Sequence, residues 1–140
     1  MLRKWSIVAV MIVVATAGWV AWRFTAPIEV RLAGNPTDLP FEIETIPSVV
    51  QARPGELVKV VYRIRNTDIS PAVAYGQIEI DPGTASDQIQ IFLTQCGGVN
   101  TFESGYPQDY EVIFRVQPAG LSGVQQMTLW HIFTRATPGS

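Results

Sequence analysis

Leu57-Val58-Lys59-Val60-Val61-Tyr62-Arg63-Ile64-Arg65 is the stretch whose reading decides the fold. Val58, Val60, Tyr62 and Ile64 point one way, and Lys59, Arg63 and Arg65 point the other. That period of two belongs to a half-buried strand, not to a helix. Pro54-Gly55 makes a turn just before it. Moving outward in both directions, the pattern recurs. Ile28, Val30 and Leu32 alternate with Glu29 and Arg31, until Gly34-Asn35-Pro36 breaks the chain. Phe41 and Ile43 alternate with Glu42 and Glu44. Ile78 and Ile80 oppose Gln77 and Glu79, followed by a turn at Asp81-Pro82-Gly83. Ile89, Ile91 and Leu93 oppose Gln88, Gln90 and Thr94. Tyr110, Val112, Phe114 and Val116 oppose Glu111, Arg115 and Gln117, and Met127 to Thr134 makes the last strand.

Seven or eight short strands with turns at regular intervals predict an all-β domain over residues 28–135, an immunoglobulin-like antiparallel sandwich. The cysteine pair that staples antibody domains is absent, so only the architecture is implied.

A different signal precedes the strands. Trp5 to Trp22 is uncharged and almost wholly apolar, with Leu2-Arg3-Lys4 before it and Arg23 after it. At ~1.5 Å per residue this run makes a helix of about 27 Å, close to the ~30 Å of a bilayer's hydrocarbon core. Residues 1–23 therefore read as a single transmembrane anchor, 24–27 as a linker, and 136–140 as a flexible tail. Arg3 and Lys4 are opposed by Arg23 and Arg31, and the remaining bias puts the N-terminus in the cytoplasm. The domain is then expected on the periplasmic, non-cytoplasmic side of the inner membrane. Trp5, Trp19 and Trp22 lie at the two headgroup levels. Ala17 and Ala21, beside Gly18, permit close approach of another helix. A cleavable signal peptide is the competing reading, with Val8 to Val14 as its apolar core and Ala15-Thr16-Ala17 as its cleavage pattern. Both readings put the domain outside the cytoplasm.

From Phe24 onward, seven Lys and Arg face twelve Asp and Glu, a balance of −5. Such a domain is a poor match for nucleic acid or anionic lipid headgroups. One histidine and one cysteine leave no room for a Cys-His or Ser-His-Asp catalytic arrangement, so no enzymatic activity is expected.

Cys96 is the one soft ligand of note. Extending the alternation of Gln88 to Gln95 points Cys96 outward, with Gln90, Phe92 and Thr94. Gly97-Gly98 then turns the backbone tightly and leaves the sulfur accessible. An exposed thiol binds metal or oxidises, whereas a buried one is inert. Met127 and His131 share a strand face with Leu129 and Phe133, a face that reads as core. Leu57, Val61, Ile113, Trp130 and Ile132 are apolar at outward positions, and either merge into one contact patch or meet a second sheet. Lys59, Arg63 and Arg65 read as a solvated face.

Leu39-Pro40-Phe41-Glu42-Ile43, Pro54-Gly55-Glu56, Tyr62, Asn66-Thr67, Gly76-Gln77, Pro82, Gln95-Cys96, Phe114, Val116-Gln117-Pro118 and Met127-Thr128-Leu129 follow one another in this order. The succession, from about Ile28 to Phe133, resembles the CtaG-type cytochrome c oxidase assembly proteins. The resemblance implies a membrane-anchored immunoglobulin-like domain that carries Cu(I) to the copper centre of the haem-copper oxidase catalytic subunit. The family's metal motif is Cys-Phe-Cys-Phe, and this chain has Cys96-Gly97-Gly98-Val99 there. The first cysteine carries over to Cys96, while Gly98 stands at the second position. The cysteine that the family usually has near its membrane helix is also missing.

Cu(I) prefers thiolates, and one thiolate per chain makes a two-thiolate site only across a homodimer. Two expectations follow. One is a factor in oxidase biogenesis that delivers copper through Cys96. The other is a non-catalytic accessory subunit of a haem-copper oxidase or respiratory supercomplex that no longer binds copper. An exported adhesion-like module is a third.

Overall fold

The computed structural model of the protein describes residues 2–137. Of the tail expected at 136–140, Pro138 to Ser140 lie outside the described residues. Among the described residues, one α-helix, α1 (Leu2–Thr25), is followed by nine strands: β1 (Ile28–Asn35), β2 (Phe41–Ile46), β3 (Val49–Ala52), β4 (Leu57–Asn66), β5 (Ala72–Asp81), β6 (Ile89–Thr94), β7 (Gly98–Phe102), β8 (Gln108–Val116) and β9 (Gln126–Arg135). A short 3-10 helix (Gly83–Gln88) joins β5 to β6.

α1 is long and apolar enough to cross a membrane. Its isoleucines and tryptophans and all its valines but Val20 are exposed around the helix. A helix apolar on all sides suits a lipid surround. Phe24 and Thr25, read as linker from the sequence, complete this helix, and Ala26 is buried. No free linker separates helix from strand.

The strands form two sheets, β3-β1-β9-β5-β7 and β2-β4-β8-β6. All pairs are antiparallel except one. β1 and β9 run parallel, with Glu29 opposite Gln126 and Asn35 opposite Ile132. The sandwich is thus mixed at this single pair. β3 and β7 are edge strands that the alternation does not reveal. The first is four residues long, and the second opens on glycine and buries only Phe102.

The inward faces are those the alternation marks. Val60, Tyr62 and Ile64 from β4 and Val112, Phe114 and Val116 from β8 meet Ile28, Val30 and Leu32 from β1 and Met127, Leu129 and Phe133 from β9. Burying each large apolar side chain contributes about 1.5–3 kcal/mol. Phe41, Phe102 and Phe133 cluster with centroids 4.8–6.1 Å apart, Phe133 meeting the other two edge-on.

The outward apolar residues do not merge. Leu57, Val61 and Ile113 are on one sheet, and Trp130 and Ile132 are on the opposite sheet. Lys59, Arg63 and Arg65 are solvated and paired. They bridge to Glu111, to Asp109 and Glu44, and to Glu42 respectively. An acidic partner would have to displace these carboxylates.

Candidate functional site

Cys96 is fully buried, not exposed as its strand parity predicts. The reason is a β-bulge. Ile91 pairs with Phe114 and Leu93 with its neighbour Ile113, so Phe92 is an extra residue in β6. One inserted residue reverses which side chains face the core from there on. Leu93 and Phe92 are consequently exposed, while Thr94 and Cys96 turn inward. The Gly97 amide then donates to the Thr94 carbonyl at 3.3 Å, and the chain crosses to the other sheet as β7.

Inward, Cys96 meets His131 of β9. Sγ lies 3.2 Å from Nε2, and Thr94 Oγ1 lies 2.8 Å from the same nitrogen. The imidazole stacks on Phe133 at 4.7 Å and 12°, and Tyr62 packs edge-on at 5.4 Å. The Tyr62 hydroxyl donates to the Ala33 and Leu129 carbonyls, each at 3.2 Å. Gly76 of β5 closes the site from the side. A methyl group there would overlap the Cys96 carbonyl oxygen and come within 2.9 Å of His131 Cε1. Only glycine lets β5 approach this closely.

Burial dominates the acid–base chemistry. It pushes the Cys96 thiol up to about 11, with the Thr94 hydroxyl pulling weakly the other way. It holds the His131 imidazolium down to about 4. Both groups are therefore neutral at pH 7. Nδ1 of His131 has no hydrogen-bond partner. A buried N–H without an acceptor costs about 1–3 kcal/mol. The cheaper arrangement puts the imidazole proton on Nε2, which then donates toward Thr94 and Cys96.

Cys96 and His131 supply one soft and one borderline donor. A first-row metal between them, with bonds of about 2.3 Å to sulfur and about 2.0 Å to nitrogen, needs ~3.5 Å or more between the donors at a tetrahedral angle. The observed 3.2 Å is a hydrogen-bonding distance. Ligation would also require a thiolate and would move the imidazole proton to the unpartnered Nδ1. Among the described residues, no group of three or more His, Cys, Asp and Glu side chains is arranged to hold a metal. With its sulfur sealed, Cys96 cannot meet the Cys96 of a second copy unless the turn at 95–97 opens.

Met127 and His131 lie on the core face, as their spacing with Leu129 and Phe133 indicates. The contact between His131 and Cys96 was not legible beforehand. Both residues were singled out from the sequence, but only the bulge brings them together.

No family model matches the chain. Two curated relatives do. One is a cytochrome c oxidase assembly protein CtaG from Rhizobium meliloti (strain 1021), 26% identical over 108 residues, covering 71% of this chain and 53% of that protein. The other is a cytochrome c oxidase assembly protein CtaG from Rhodopseudomonas palustris (strain BisB18), 26% identical over 125 residues, covering 86% of this chain and 61% of that protein. The chain spans little more than half the length of these relatives.

Proposed function

We propose that this chain acts in cytochrome c oxidase biogenesis, as a membrane-tethered sandwich that engages oxidase subunits by protein contact. The similarity to two proteins of that role, running across most of the chain, carries the reading. The apolar helix supports a membrane anchor, and the charge bias at its ends supports a domain outside the cytoplasm. The closed state of Cys96 weighs toward contact and away from metal transfer. The thiol is protonated, fully buried and hydrogen-bonded.

Copper delivery through Cys96 is the second reading, and one observation favours it. His131 Nε2 stands beside the sulfur, so a Cys–His donor pair for Cu(I) forms if the 95–97 turn opens. Thiolate and imidazole both suit copper.

Complementation of a deletion strain separates the two readings, with assembled oxidase and its copper content as the measurements. Loss of assembled oxidase on deletion, restored by Cys96→Ala, is the expected result. A Cys96→Ala strain as deficient as the deletion, together with one-to-one Cu(I) binding by wild type alone, establishes the copper reading instead. Unchanged oxidase in the deletion strain removes both. Mild detergent extraction checks the mode of action. Stoichiometric co-purification with mature oxidase marks a permanent accessory subunit rather than an assembly factor.

A further inference from the structure

The end of the sandwich nearest the anchor is tied to it by more than the chain. The Arg23 guanidinium donates to the Gly120 carbonyl at 2.8 Å through Nε and to the Gly123 carbonyl at 2.7 Å through a terminal nitrogen. In return, the Gly120 amide donates to the Arg23 carbonyl at 3.1 Å, one of the carbonyls a helix end leaves unsatisfied. Gly120 is buried with φ +57°, and a methyl group on it would press on the Phe24 ring at 3.3 Å. The Gly123 amide closes the turn onto the Ala119 carbonyl at 2.7 Å. Two hydrogen-bonded glycines thus hold Leu121 and Ser122 out at the tip, and Leu121 is 67% exposed.

The level of that tip follows from the anchor. Trp19 and Trp22 mark the headgroup region, and Arg23 is the next residue. A turn that bonds directly to Arg23 lies within a few ångströms of the same level. The stretch from Gln117 to Gln126 carries no charged side chain. Phe24, half exposed, stands beside it on the last turn of the helix.

We propose that the Ala119–Gly123 turn is a membrane-contact site that seats Leu121, with Phe24, at the boundary of headgroups and acyl chains. Its occupant is the bilayer that the helix crosses. Binding is apolar, so it needs no anionic lipid, in keeping with the acidic balance of the domain. The turn and the anchor together fix the tilt of the sandwich over the membrane. This inference is independent of the oxidase reading.

The test uses the full chain in phosphatidylcholine vesicles. An environment-sensitive fluorophore is placed on Leu121→Cys, on Ser122→Cys, or on Tyr106→Cys at the opposite end of the sandwich. Each variant is made in a Cys96→Ala background, so that the label has a single site. Labels at 121 and 122 are expected to emit at shorter wavelength and to be quenched by nitroxide lipids labelled near the headgroup. The label at 106 is expected to respond only to aqueous quencher. Arg23→Gln, which removes both guanidinium bonds, should reduce lipid quenching at 121 while the helix stays inserted. Equal, purely aqueous quenching at 121, 122 and 106 overturns the membrane contact. Unchanged lipid quenching in Arg23→Gln overturns the role of the clamp.

Discussion

Lowering the pH from 7 to 5 should destabilise the sandwich through one residue, His131. Its folded-state value of about 4 lies below the 6.5 of an unperturbed imidazole, because the ring is buried with no charged partner. The sign follows directly. Above pH 6.5 neither state binds the proton, and stability is complete. Between 6.5 and 4 the unfolded chain takes up a proton that the folded chain refuses, so stability falls as pH falls. Below 4 both states are protonated and the loss is constant. The full displacement is worth about 3 kcal/mol at 1.36 kcal/mol per pH unit, and about 2 kcal/mol of it is lost by pH 5. Hydrogen bonds from Arg31 and Arg63 hold the Glu29 and Asp109 carboxyls below the usual carboxylate range. Urea unfolding of the full chain in detergent micelles, followed by the fluorescence of Trp130, measures the loss. Trp130 is the sandwich's sole tryptophan. His131→Gln should lose far less between pH 7 and 5, whatever its stability at pH 7. Because the chain has one histidine, its ring proton resonances report the folded value without ambiguity. A folded imidazole that titrates near 6.5, or a His131→Gln variant with the wild-type pH dependence, would refute the reasoning.

Three further outcomes are expected. Cys96 should resist maleimide at pH 7 in the native state and react at once in urea. Its value, raised from 9.0 to about 11, also means that stability is complete below pH 9 and is lost between 9 and 11, as only the unfolded chain ionises; alkaline unfolding curves of wild type and Cys96→Ala should diverge there. Gly76→Ala places a methyl group against the Cys96 carbonyl and the His131 ring, and should cost about 1–3 kcal/mol in urea unfolding while making Cys96 labelling measurably faster. Asn66 is buried, and its amide donates to the Ser70 and Phe102 carbonyls at 3.0 and 2.9 Å; Asn66→Ala should cost about 1–3 kcal/mol and raise hydrogen exchange in the loops at 67–71 and 103–107.

The long apolar helix, the strands and most core faces were legible in the amino-acid order because each is a local property. Val58, Val60, Tyr62 and Ile64 face the core by the pleat alone, and Met127, Leu129, His131 and Phe133 follow the same parity. The run from Trp5 to Trp22 needs no tertiary partner to be read as apolar over a bilayer's width. Two short edge strands escaped this logic, since four or five residues carry too little period to stand out.

What tertiary structure alone decided depends on how one segment registers against another. The parity of β6 holds only as far as Phe92, where pairing with β8 accommodates an extra residue and turns Cys96 from the solvent face to the core. No local pattern marks that bulge, because it exists only relative to the partner strand. The same holds for the Cys96–His131 contact across thirty-five residues of sequence, for the parallel pairing of β1 with β9, and for Arg23 reaching the carbonyls of a turn nearly a hundred residues away. Composition and periodicity report what each segment buries; only the packed sandwich determines which segment it is buried against.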